Sequence, residues 1–499
     1  MNNSDYYKML DKDIAEYTEA LKLNPKDDEA YYARGQSLYR RGKLDEAIAD
    51  FTEVLKLMPN DADAYYYRGI VYHKKGEFDN AIADFTEVLK QKPRYADAYC
   101  NRGLAFYKKD EYDKAISDYN EMLRIDPQDT EAYYNRAIVY WKTGELDKEI
   151  ADYTAVLNLN PKYVEAYYFR GQAYYKKALR QPWPDKTHPD EATTLASLQR
   201  ERSGESRPNR DTQGELIDKA IADFTRTLEL DPKYAVAYGH RGDAYIKKGE
   251  YDKALADFTE ALNLNPKDAD AYNNSGFAWR EKGEYDKSIA DLNAALLLNP
   301  KYTQAYFNRG LTYTEKASAE GPSPPLHPGE SGDPGNPGAY RELLDRAIAD
   351  FTETLKLNSK LPNIVYNQRG CAHSNKGEFD KAIADFTESL NLNPQYTQAY
   401  FNRGVAYYKK GRCDEAIADF TESLKLDPKY EMSYFSRCQA YADKSEEAEI
   451  AGCLDLEKEL LQKAIADAGR FLELAPNHPT AWSMPELIRL WRIRIDEIG

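Results

Sequence analysis

The chain runs to 499 residues, 42% hydrophobic and 30% charged, with a net charge of −16 at pH 7. No stretch approaches the roughly 18 apolar residues of a membrane span, and the opening Met1-Asn2-Asn3-Ser4-Asp5 lacks the basic-then-apolar layout of an export signal. Five scattered cysteines without a Cys-x-x-Cys pair give no disulfide framework or zinc site, so a reduced, cytoplasmic protein is expected, too acidic to favour nucleic acid as a partner.

Tyrosine outnumbers phenylalanine 42 to 16, which points to one unit written many times. Proline sets the period: Pro59, Pro93, Pro127 and Pro161 fall 34 residues apart, as do Pro232, Pro266 and Pro300, then Pro394 and Pro428. In chain order, residues 1–27 hold the second half of a degenerate repeat, an N-terminal cap. Residues 28–177 carry repeats one to five, the last as its first helix only. An insertion rich in Pro, Arg, Asp and Thr fills 178–214, and 215–316 runs from the rest of repeat five to the first helix of repeat eight. A Pro- and Gly-rich insertion occupies 317–340, and 341–442 continues to the first helix of repeat eleven. Residues 443–460 are a third, acidic insertion in which Ile450, Leu454, Leu456 and Leu460 predict a short helix. Residues 461–478 form the last second helix and 479–499 a capping helix. The first two insertions have too little apolar periodicity to order themselves and are predicted to be mobile. Each insertion separates the two helices of one repeat, either as a partner contact or as a tolerated surface addition.

Each repeat reads as a helix pair. In repeat two, Tyr65, Gly69 and Tyr72 share one stripe, and Lys74-Lys75-Gly76 ends the helix with cations and then glycine. Asp79 puts an acid at the start of the second helix, whose stripe is Ala81, Ile82, Phe85, Val88 and Leu89, and Pro93 stops it. Glycine inside a helix costs about 1 kcal/mol relative to alanine. Its return at position 8 in nine of eleven repeats, with Ala137 and Cys438 in the other two, therefore predicts a close packing contact. An aromatic, Gly, Tyr, Ala, Phe and Pro at positions 4, 8, 11, 20, 24 and 32 resemble the tetratricopeptide repeat, with Tyr where that family usually has Trp. The resemblance implies an all-α solenoid, a right-handed superhelix of about eleven helix–turn–helix repeats plus terminal half-repeats, with the first helices inside.

The largest departure from the family pattern is position 7, where arginine replaces the usual leucine ten times, Arg68, Arg102 and Arg136 among them; Ser275 is the exception. A guanidinium on the packed side of a helix needs an acceptor. Position 23 is aspartate in every repeat, including Asp84, Asp118 and Asp152. The two positions predict an Arg–Asp ladder, within a repeat or to the preceding one.

The family's inward positions supply candidates for a binding groove. Position 6 gives Asn101, Asn135, Asn274, Asn308 and Asn402, with Gln368 a near-equivalent. A carboxamide donates and accepts, as recognition of an extended peptide backbone requires, and local backbone or water contacts would occupy it equally well. Position 12 gives Tyr107, Trp141 and Tyr175, and position 13 gives Lys74, Lys108, Lys142 and Lys176 before turning acidic at Glu281 and Glu315. The N-terminal half therefore presents a basic–aromatic stripe. The helix dipole accounts for lysines at a helix end but not for the aromatics beside them.

Signatures of catalysis are missing: no phosphate-cradling glycine loop, no His-Glu-x-x-His and no Gly-x-Ser-x-Gly. Cys371 and His373 lie close in sequence, yet both hold inner-helix repeat positions and read as packing residues. No catalytic residue, metal or cofactor is expected. The expectation is a non-catalytic, bacterial-type protein-interaction scaffold that binds an extended partner segment in its groove. The alternatives are a regulatory or substrate-recruiting subunit of an enzyme complex, and single-stranded RNA binding through the aromatic–lysine stripe. At the C-terminus, Leu487, Ile488, Trp491, Ile495 and Ile498 form a capping stripe, while Leu490 and Ile493 lie off it and leave self-association open.

Overall fold

A computed structural model describes residues 3–180, 210–321, 337–357 and 359–498. Among them every regular element is helical. Helices come in pairs: Asp28–Arg41 with Leu44–Leu57, Ala62–Lys75 with Phe78–Gln91, Ala96–Lys108 with Tyr112–Ile125, and Thr130–Thr143 with Leu146–Leu159. The pattern continues to Glu431–Ile450 with Leu454–Leu474, and Met484–Ile498 closes the chain. The chain divides into two compact units, Met1–Ala244 and Tyr245–Gly499.

Local chemistry sets the ends of each helix. The Asp61 carboxylate accepts from the backbone N–H groups of Asp63 and Ala64 at 2.9 and 3.0 Å, satisfying donors that a helix start leaves open. At the other end Gly76 turns into the left-handed region at φ 83°, so its N–H bonds the carbonyl of His73 and that of Glu77 bonds Tyr72. The mid-helix glycine has a different reason. A Cβ on Gly69 would lie 2.8 Å from the ring of Phe85, and one on Gly404 would lie 2.7 Å from Phe420. The first helix thus forms a floor for the ring at position 24, and each such buried ring contributes about 2 kcal/mol.

In nine repeats the position-7 arginine joins the repeat to its own second helix and to the second helix before it. Arg102 donates from Nε and Nη2 to Asp118 at 2.9 and 2.7 Å, while Nη1 reaches Thr86 of repeat two at 3.1 Å. Arg68 does the same with Asp84 and Thr52, and Arg136 with Asp152 and Asn120. Nine such Arg–Asp pairs are described, at 2.6 to 2.8 Å. Burial raises the Asp118 carboxyl, and the hydrogen bonds and charge of Arg102 act against that rise. In repeat seven, Ser275 takes the arginine's place and donates its hydroxyl to Asp291 at 2.6 Å. A second, exposed ladder was not anticipated: the position-14 lysine pairs with the position-18 aspartate of the preceding repeat, as in Lys75–Asp45, Lys109–Asp79, Lys177–Asp147 and Lys410–Asp380. Exposed pairs of this kind contribute about 0–1 kcal/mol each, so they fix register more than they stabilise.

The structure redraws the insertion boundaries. The expected short helix within 443–460 is instead an extension of both flanking helices, which run Glu431–Ile450 and Leu454–Leu474 and turn at Gly452. Arg437 and Asp467 stand 30 residues apart where the equivalent Arg102 and Asp118 stand 16 apart, and the 14 added residues divide almost evenly between the two helices. About seven residues make two turns, so the apolar stripe keeps its phase. The same extension appears where the first two insertions begin and end. The helix before the first runs Val164–Leu179 and the helix after it Arg210–Leu230; around the second they run Thr303–Glu320 and Pro337–Lys356. Leu216 and Ile217, Leu343 and Leu344, and Leu460 and Leu461 are buried at equivalent places in the three extended second helices. Residues 181–209 and 322–336, predicted to be mobile, lie outside the described residues.

Candidate functional site

The candidate groove residues sit on the first helices, but they differ in what remains open to a ligand. The carboxamide NH2 of Asn101 donates to the Tyr66 hydroxyl at 3.2 Å and to the Asp97 carbonyl at 2.8 Å. Asn135 donates to Cys100 Sγ, and Asn402 to Asn367 Oδ1 at 3.0 Å and to Cys371 Sγ. In each case the donor reaches position 5 of the preceding repeat, so the asparagines tie neighbouring repeats together. The Oδ1 atoms of Asn101, Asn135 and Asn402 carry no hydrogen bond among the described residues and remain available as acceptors. Asn308 is closed: it is 5% exposed, donates to Asn273 and accepts from Gln304. Asn274 accepts from Asn273, and Gln368 lies half-buried on Pro362–Asn375.

The stripe is more open. Lys74, Lys108, Lys142 and Lys176 are all exposed, and none has a carboxylate within ion-pair distance among the described residues. Each lies over an aromatic ring instead: Lys74 over Tyr39 at 4.7 Å, Lys108 over Tyr107 at 5.9 Å, and Lys142 and Lys176 over Trp141 at 4.8 and 4.9 Å. Trp141 is 40% exposed, while Tyr107 and Tyr175 are half-buried. The contrast with the next residue is sharp, since Lys75, Lys109 and Lys177 are all neutralised by aspartates. Beside the stripe, His73 Nε2 is buried without a partner, and burial together with Lys108 lowers the imidazole's pKa.

One residue of this region escaped sequence reasoning. Glu149 stands at position 20, which is alanine in nine repeats and Ser288 in another. It is 1% exposed and its Oε2 has no hydrogen-bond partner. Burial pushes its carboxyl up to about 7, with the charges of Lys176 and Arg180 pulling the other way. The signal was an acid that does not recur with the repeat.

Elsewhere, Cys371 is pushed up to about 12 by burial, and His373 Nδ1 lies 2.8 Å from Glu378. Among the described residues no cluster of His, Cys, Asp and Glu is arranged to hold a metal, and no helix is long and apolar enough to cross a membrane. At the C-terminus, Leu487, Ile488 and Trp491 pack against a buried cluster that includes Ala468, Phe471 and Met484, and Leu490 and Ile493 are exposed.

Family models of the tetratricopeptide repeat match residues 35–144 and 242–316, 367–431, 16–49 and 224–256, and 130–163, together more than half of the chain. The chain belongs to the tetratricopeptide repeat family. No curated protein matches it. Among solved structures, this tetratricopeptide repeat protein is similar to the MamA protein at 23% identity, over 41% of this chain and 92% of that one, with a TM-score of 0.33. It is similar to YrrB, described as a TPR protein with an unusual peptide-binding site, at 20% identity over 44% and 95% of the two chains, TM-score 0.33. It also resembles a tetratricopeptide repeat protein from Parabacteroides merdae at 17% identity over 62% and 98%, TM-score 0.39.

Proposed function

We propose that the chain is a non-catalytic scaffold that holds an extended, acidic segment of a partner protein along the first helices of repeats two to five. The observation that carries this reading is the set of four exposed lysines without carboxylate partners, each stacked on an aromatic, in a chain with a net charge of −16. Carboxylates of the segment would meet the ammonium groups, its apolar side chains the rings, and its backbone N–H groups the open oxygens of Asn101 and Asn135. A protein segment suits the site better than RNA, because the surrounding acidity repels a phosphate backbone.

A fluorescent glutamate–tyrosine copolymer is a suitable probe. Lys108→Glu with Lys142→Glu is expected to weaken its binding at least tenfold, mainly by slowing association, and raising the salt should weaken the wild-type complex. Both side chains face water, so the thermal unfolding of the double variant should match wild type. Unchanged affinity in a folded double variant would place the working surface elsewhere.

A further inference from the structure

The first helices carry unanswered charges on the edge opposite their lysines as well. Glu131 and Lys142 stand at the two ends of Thr130–Thr143, and Glu165 and Lys176 stand in the same way on Val164–Leu179. About three turns separate the members of each pair, so they share one face, about 16 Å apart. Glu131 and Glu165 are exposed, and neither has a cation within ion-pair distance among the described residues; Glu131 accepts from the Cys100 thiol at 3.5 Å.

What such an acid takes is visible in repeat two, where Asp63 holds the equivalent place. The ammonium of Lys92 lies 2.7 Å from the Asp63 carboxylate and 5.7 Å from the ring centre of Tyr95. Tyr95 leans in turn on Tyr66, with ring centres 5.0 Å apart. A carboxylate and a pair of rings thus wall a cation site that the chain fills itself. The walls recur in repeats four and five. Tyr134 and Tyr163 lie 5.1 Å apart, and Tyr168 and Tyr234 lie 4.9 Å apart. The second tyrosine of each pair reaches the position-2 residue of its own repeat, as repeats seven and ten show directly: Tyr302 donates to Asp270 at 2.5 Å and Tyr430 to Gln398 at 3.2 Å. Burial and the charges of Glu165 and Glu131 raise the Tyr163 hydroxyl, and burial and Glu165 raise that of Tyr234. The lysine does not recur. The place of Lys92 is taken by Asn160 in repeat four and by Asp231 in repeat five. Repeats one and three lack the second ring, with Asp61 and Asp129 in its place.

We propose that Glu131 with Tyr134 and Tyr163, and Glu165 with Tyr168 and Tyr234, each bind a lysine or arginine side chain of the partner segment, an inference that rests on the binding face proposed above and deepens it. The segment is then two-sided. An extended chain points successive side chains to opposite sides. A strand crossing the first helices therefore offers its acids to Lys142 and Lys176 and its bases to Glu131 and Glu165. Alternating acid and base is the pattern this face selects.

Two fluorescent peptides test this, one repeating Glu-Lys-Glu-Tyr and one of equal length repeating Glu-Gln-Glu-Tyr, so that both offer the same acids to the lysine stripe. Wild type should bind the lysine peptide about tenfold more tightly, with each filled site contributing about threefold, the order expected of an exposed ion pair with a cation–π contact. Glu131→Gln with Glu165→Gln should remove most of that preference. Asp113→Asn with Glu388→Gln takes two exposed acids from second helices instead and should keep it, which separates the sites from net charge. Lys92→Asn, which installs the residue of repeat four, should empty the site at Asp63 and tighten the lysine peptide alone by about a further threefold. Suppose the preference survives Glu131→Gln with Glu165→Gln, or falls equally in the Asp113 and Glu388 variant, or Lys92→Asn adds nothing, while Lys108→Glu with Lys142→Glu still weakens both peptides. The acid edge then binds no basic side chain, and the lysine face stands. If neither peptide binds, or both bind without regard to the lysine reversals, the binding face itself is wrong and the inference falls with it.

Discussion

Glu149→Ala is expected to stabilise the protein by about 3 kcal/mol at pH 8 and by little at pH 4, and urea unfolding of both proteins at the two pH values checks it. The sign follows from the direction of the shift. The folded-state carboxyl holds its proton up to about 7, against an ordinary value of 4.5, so the folded state binds more protons across that window. Wild-type stability therefore falls as pH rises from about 4.5 through 7, and the loss is complete above the folded value. At about 1.4 kcal/mol for each tenfold in proton affinity, the gap amounts to about 3 kcal/mol. Alanine removes the titrating group and, as at Ala115 and Ala254 in the same place, fits the buried position. An equal change at both pH values would mean that packing, not ionisation, sets the cost of Glu149.

Arg102→Leu should act in the opposite direction, lowering stability by about 3–5 kcal/mol at pH 7, because it leaves a buried carboxylate unpaired. The Asp118 side chain is only 5% exposed, and both of its oxygens accept from Arg102. The variant also cuts the link to Thr86 of the preceding repeat. Replacing both members, Arg102→Leu with Asp118→Leu, should recover most of the loss, since the desolvated charge then disappears with its partner. Arg102→Ser should be milder than Arg102→Leu, because Ser275 shows that a hydroxyl at this position reaches the aspartate. If the double variant is as unstable as Arg102→Leu alone, an unpaired charge is not the source of the loss.

Repetition made most of the fold legible, since each position is written eleven times and a requirement shows as a residue that returns. The period, the helix pair, the closing glycine and the small residue at position 8 could all be read that way. The arginine's second contact was also written but went unread. Position 25 is threonine or asparagine from Thr18 and Thr52 through Asn120 and Asn293 to Thr421, each in front of another repeat. It becomes Gly469 in repeat eleven, which no further arginine follows. The extended hairpins had a signal too: Glu215-Leu216-Ile217, Glu342-Leu343-Leu344 and Glu459-Leu460-Leu461 place an apolar pair one turn before the position-20 alanine, and that pair carries the helix upstream. What no pattern gave was direction. Asparagine at position 6 looked equally suited to a ligand or to a neighbour, and only the geometry shows its donors turned to the preceding repeat while some of its oxygens stay open. Glu149 was hidden for the reverse reason, because one acid among 84 acidic residues stands out only when its repeat position is known to be buried.

Where the partner lies on the molecule decides the central claim, and site-resolved crosslinking of the native complex with mass spectrometry measures it. A photoreactive residue is placed in turn at Tyr107 and Tyr175 on the stripe, at Asp113 on a second helix, and at Leu490 on the capping helix. Crosslinks to an acidic segment of one partner from the two stripe positions, with none from Asp113 or Leu490, are the predicted result. Crosslinks confined to Leu490 or Asp113, with the stripe positions silent in a folded and assembled complex, would contradict it.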